Sequence, residues 1–76
     1  MNNKDKLLHI LMDINPDIDF ETETALVDGG MFDSLEIMSL VTDICDYFHV
    51  DINPDDVIPE NFNSLDAILA TIEKNR

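Results

Sequence analysis

Apolar residues recur at helical spacing in three stretches of this chain, and turn-formers separate them. Leu7, Ile10, Leu11 and Ile14 fall at i, i+3, i+4 and i+7, with Leu8 widening the stripe, which predicts an amphipathic helix. His9 projects roughly opposite Leu11 and is read as solvated. This helix should end before Asn15-Pro16, because a proline ring disfavours helical backbone in the residue before it. A second helix is predicted from Ser34 to Phe48, where Ile37, Leu40, Val41, Ile44, Tyr47 and Phe48 share one arc that should face the core. Leu35 and Met38 lie well round toward the other side, among Glu36, Ser39, Thr42, Asp43 and Asp46, with Cys45 at the border. Asn53-Pro54-Asp55-Asp56 reads as a third helix start, with an N-cap, a proline at the first helical position and acids in the first turn. Pro59 should close that helix after Val57 and Ile58, leaving Pro59 to Phe62 as a connector whose Phe62 turns inward. Ser64 is the N-cap of a last helix with Leu65, Ile68, Leu69 and Ile72 as its buried stripe.

No strand pattern competes with these periods. The expectation is an all-α fold: one small four-helix bundle over residues 1–76, with a long first loop and a short third helix. The loop from Asn15 to Phe32 needs anchors, and Phe20, Leu26, Val27 and Phe32 are the candidates. So long a connection in so small a chain is usually functional or disordered.

That loop ends at Asp33-Ser34-Leu35-Glu36. Asp33 can accept backbone N–H bonds as N-cap, and Glu36 stands three residues on, as in a capping box. Both carboxylates also suit the positive end of the helix dipole. Ser34 then falls on the first turn, where a side chain is hard to bury and easy for another protein to reach. In isolation an Asp-Ser-Leu tripeptide means little, and a first-turn serine is an ordinary polar residue.

Charge changes the picture. Seventeen acids face four bases, for a formal net charge of −13. The bases are Lys4, Lys6, Lys74 and Arg76, so neither Lys nor Arg occurs between Leu7 and Glu73. Nucleic-acid backbones and anionic lipid surfaces would repel such a molecule, and basic protein surfaces would attract it. No stretch is long enough to span a bilayer, so membrane insertion is not expected. Met1 to Lys6 lack the apolar run of a signal peptide, and one cysteine allows no intramolecular disulfide; a free-standing, monomeric protein of a reducing cytoplasm is expected.

Two other chemistries lack the residues they need. Asp13, Asn15 and Asp17 match the opening of a calcium loop, but Ile18 stands where its glycine belongs and Thr24 where its closing Glu belongs; Asp51, Asn53 and Asp55 fail alike, so no metal site is assigned. A hydrolase needs a base beside its nucleophile, and neither His9 nor His49 has sequence support as a partner for Ser34. Cys45, on an acidic helix, is discouraged from forming a thiolate. The chain is read as a non-enzyme.

A short, very acidic, four-helix pattern with Asp-Ser-Leu near its middle resembles the acyl carrier protein family, from about Lys4 to Lys74. The resemblance implies that Ser34 carries a phosphopantetheine arm derived from coenzyme A, whose thiol holds an acyl or aminoacyl group as a thioester. It implies a phosphopantetheinyl transferase, a loading enzyme such as an adenylate-forming ligase, and acyltransferases with basic docking surfaces as partners. Asp33, Leu35, Glu36 and Met38 would make the first contacts, with Asp46 farther along the helix. Carriers of fatty-acid synthesis commonly read Gly-Ala-Asp-Ser-Leu-Asp here, whereas this chain reads Gly-Met-Phe-Asp-Ser-Leu-Glu from Gly30, closer to D-alanyl carriers and stand-alone carriers of specialised pathways. The alternative is a small acidic helical interaction module that docks by charge and is never pantetheinylated.

Overall fold

The computed structural model describes residues 2–76, and Met1 lies outside the described residues. Helix α1 spans Asn3–Ile14, α2 Ser34–Phe48, α3 Pro59–Phe62 and α4 Leu65–Lys74, with a 3-10 turn at Pro54–Asp56; no strand occurs among the described residues. Helix α1 packs on both α2 and α4, and α3 packs on α4. The resulting bundle is the all-helical arrangement that the periodicity requires. Among the described residues no helix is long and apolar enough to cross a membrane.

The core gathers Leu7, Ile10 and Leu11 of α1, Leu40 and Ile44 of α2, Phe62 of α3, and Leu65, Ile68 and Ile72 of α4. Val50 and Ile52, in the connector after α2, also enter it. The long loop is anchored by Phe20, Leu26 and Phe32, all buried, and the rings of Phe20 and Phe32 lie 5.8 Å apart. Val27 reaches the core only as a half-buried neighbour. Inside the loop the backbone closes on itself in turns, with Met31 and Phe32 N–H both donating to the Leu26 carbonyl at 2.9 and 3.0 Å. Both glycines are needed there: a Cβ on Gly29 would lie 2.5 Å from the Ala25 carbonyl oxygen, and Gly30 has φ 78°.

Two expectations fail. The third helix does not begin at Asn53 and stop at Pro59; Asn53 caps only the 3-10 turn, and the helix starts at Pro59. Ile58 is extended, at φ −127° and ψ 155°, as a residue before proline should be, and the proline then serves as first helical residue because it has no N–H to lose. Tyr47 does not belong to the core and stays 48% exposed. At about 100° per residue it lies about 60° off Ile44, at the edge of the arc, and it packs edge-on against Phe48 with centroids 5.5 Å apart.

Candidate functional site

Asp33 holds the start of α2 by a reciprocal cap. Its Oδ1 accepts from the Glu36 N–H at 2.8 Å, while its own N–H donates to Glu36 Oε1 at 3.5 Å, and its extended backbone (φ −92°, ψ 179°) turns the chain into the helix. The far end of α2 is closed by His49 in the left-handed conformation at φ 55°, a place more often taken by glycine. Ser34 is the first residue of α2 and is exposed.

Beside Ser34 opens a cavity of about 310 Å³ between α2, the loop and α3. Ile37 and Met38 form its α2 wall, Val27 the loop wall, and Val57, Ile58, Pro59 and Phe62 the far wall. Ser34 is the only polar side chain in that lining, and no titratable group shares it. No titratable group lines the cavity itself, and the two carboxylates flanking the serine, Asp33 and Glu36, are engaged in the helix cap. Phe62 is buried and closes the cavity toward the core, while Ile58 is part-exposed at the rim.

The exposed side of α2 continues from the serine. Leu35 and Met38 are 78% and 59% exposed and line a shallow depression with Ser39, Thr42 and Asp43. Two large apolar side chains left in water next to an accessible hydroxyl, with the carboxylates of Asp33 and Glu36 beside them, form a surface suited to a partner protein. Asp46 is not part of this group. It lines a wider groove of about 500 Å³ between α1 and α2, with His9, Ile10, Asp13, Asp43 and Tyr47. That groove is larger than the cavity at Ser34, so size alone does not locate the chemistry. Its acids and histidine do not converge as a metal set among the described residues.

Sequence reasoning missed Val57, Ile58, Pro59 and Val27 as cavity residues. The available signal was Val57-Ile58, an apolar pair in a segment otherwise crowded with acids. Immediately before that pair Asp56 accepts from Lys74 Nζ at 2.9 Å and from Asn75 Nδ2 at 3.1 Å, and these bonds, the lysine's first, hold its carboxyl below its ordinary value against a smaller opposing effect of burial.

Compared with known protein families, residues 5–72 match the family model described as phosphopantetheine attachment site. No curated protein and no solved structure gave a match.

Proposed function

That this chain belongs to the phosphopantetheine attachment-site family is the premise from which we propose that it is an acyl or aminoacyl carrier, one domain over residues 1–76, with its arm on Ser34 Oγ. Phosphopantetheine is the covalently attached group of this family. When bound, it supplies a terminal thiol on which a cargo is held as a thioester, activated for acyl transfer. The observation that carries the assignment to Ser34 is its place: an exposed hydroxyl on the first turn, fixed by the Asp33–Glu36 cap, at the mouth of an apolar cavity.

The residues fit such a group. A flexible chain rooted at Ser34 has water on one side and the cavity walls on the other, so an apolar cargo can lie against Ile37, Val57 and Phe62. Asp33 and Glu36 hold the helix start, and with it the hydroxyl, in one position. The transferase supplies the base that takes the Ser34 proton, since Asp33 and Glu36 are committed to capping α2. Leu35 and Met38 give that enzyme, a ligase or an acyltransferase an apolar foothold, and Asp33 and Glu36 give its basic residues a charge to meet. Asp46 adds to the same negative field from the α1 side. With one cysteine and no intramolecular disulfide, we place the protein in a reducing cytoplasm.

The test is intact-mass analysis after incubation with coenzyme A and a phosphopantetheinyl transferase of broad tolerance. One phosphopantetheine is expected to be added, and none to Ser34→Ala, whose helical signal should persist because Asp33 still caps α2. Modification of the alanine variant would sink the assignment to Ser34, and no modification of the unaltered protein would leave the acidic interaction module as the better reading.

A further inference from the structure

Asn63 stands between α3 and α4, far in sequence from the loop that leads to Ser34, and yet it holds that loop by four hydrogen bonds. Its carbonyl accepts from the Leu26 N–H at 2.9 Å. Its side-chain Oδ1 accepts from the N–H groups of Val27 and Asp28, both at 3.0 Å, and its Nδ2 donates to Asp28 Oδ2 at 2.9 Å. The Leu26 carbonyl in turn accepts from Met31 and Phe32. Phe32 is followed by Asp33, which caps α2 at Ser34. A continuous run of hydrogen bonds therefore joins the α3–α4 junction to the start of the helix that presents the hydroxyl.

The position of Asn63 gives these bonds a further meaning. Its neighbour Phe62 is a wall of the cavity, and Val27, which bonds to Asn63, is the wall contributed by the loop. One side chain thus ties two of the three walls together and sets their spacing at the mouth beside Ser34. Only a short amide meets all of the requirements. Aspartate keeps the acceptors but loses the donor toward Asp28, and alanine leaves the Val27 and Asp28 N–H groups without a protein acceptor.

We propose that Asn63 is a positioning residue for the Ser34 site: it locks the loop that presents Ser34 against the α3 side of the cavity, and so fixes the pose in which a partner enzyme meets the hydroxyl. This rests on Ser34 being the attachment point. A partner must grip the exposed side of α2 and reach Ser34 at once. When the loop wanders, fewer encounters have both in place, and productive binding weakens before the chemical step does.

The experiment compares the unaltered protein with Asn63→Asp and with the double variant Asn63→Asp, Asp28→Asn. The single variant sets two carboxylates face to face; the double variant exchanges the groups and restores one donor between them. Amide exchange is read residue by residue, and the transferase reaction with coenzyme A is followed for KM and kcat. In Asn63→Asp, exchange at Val27, Met31 and Phe32 is expected to rise roughly five- to tenfold, the weight of about one hydrogen bond, while Leu40 and Ile44 stay as protected as before. The transferase KM is expected to rise by a similar factor with kcat nearly unchanged, and the double variant to recover both. Unchanged exchange at Met31 and Phe32 would overturn the proposal. So would exchange rising equally at Leu40 and Ile44, which marks general destabilisation, or a KM defect that the double variant does not repair. Should the unaltered protein take no phosphopantetheine, the Ser34 assignment fails by itself, and the exchange pattern still decides whether Asn63 locks the loop.

Discussion

The two flanks of α2 are built from the same helix and do opposite things. Toward α3, Ser34, Ile37 and Met38 face a cavity with no titratable group in its walls. Toward α1, Asp43, Asp46 and Tyr47 face a wider groove that Asp13 and His9 share. The first flank excludes charge and leaves one hydroxyl at its rim, so it can shelter an apolar chain tethered there. The second concentrates negative charge that nothing nearby neutralises: among the described residues the only ion pairs are Lys74 with Asp56 and Arg76 with Glu73. Concavity is common to both flanks, and polarity distinguishes a wall that an apolar chain can lie against from a source of field.

The sharpest way to break this contrast is to truncate one aromatic on each side. Phe62→Ala, on the cavity side, should cost about 3–5 kcal/mol, because a buried ring is lost and the void cannot fill. Tyr47→Ala should cost about 1 kcal/mol or less, since half of its surface is already in water. Thermal or urea unfolding of both reads the difference, and equal losses would mean that Tyr47 carries core packing after all.

Next in size is Met38→Ala. Its side chain is 59% exposed, so stability should change by no more than about 0.5 kcal/mol. Transferase kcat/KM should nevertheless fall about tenfold, in the range of an interface anchor. A large stability loss with normal modification would place Met38 in the core and end its docking role.

A charge reversal sharpens the other flank. Asp13→Lys sets a cation against Asp43 and Asp46, and should raise stability by a few tenths to about 1 kcal/mol, most at low salt. Modification of Ser34 should slow only slightly, through the weakened field, because the change is on α1 and away from the serine. Glu36→Lys, beside the serine, should slow association with a basic transferase more. Melting temperatures at two ionic strengths, with transferase rates beside them, separate the cases.

The smallest effect lies off both flanks, at Asp56. Its folded pKa is held below the ordinary value by Lys74 and Asn75, so the native state binds fewer protons than the unfolded one as pH falls. The stabilisation is therefore present above the unfolded value, about 3.9, and is lost as pH drops through the depressed folded value. Asp56→Asn should lower the melting temperature slightly near neutrality, where the carboxylate is charged and paired, and the two curves should converge as pH falls below about 4. A difference in melting temperature that does not shrink on acidification would contradict this.

Helices α1, α2 and α4 were legible in the sequence because each repeats its apolar period over two or more turns. Helix α3 has four residues, too few to show a period, and its first residue is a proline that reads equally well as a stop. The serine and its cap were legible because every element of that junction lies within four consecutive positions. The cavity was not, since its walls come from three separated stretches and meet only through the fold. Asn63 was hidden for the same reason: its side-chain partners lie 35 and 36 positions away. Tyr47 failed because a helical wheel places residues by angle alone, and the edge of an arc is where neighbouring helices decide what is covered.

The bond from Asn3 Nδ2 to Glu73 Oε1, 2.9 Å long, joins residues 70 positions apart. Nearly the whole chain is thus one closed loop, and α1 cannot dock on α4 until that loop has been drawn shut. Its closure entropy belongs to the unfolded state, where a covalent bridge could remove it in advance. In the chain-entropy picture a crosslink over such a span is worth on the order of 4 kcal/mol. An intramolecular link between the beginning of α1 and the end of α4 would therefore stiffen an acid-rich bundle without adding a single cation, and without touching the helix that bears the serine.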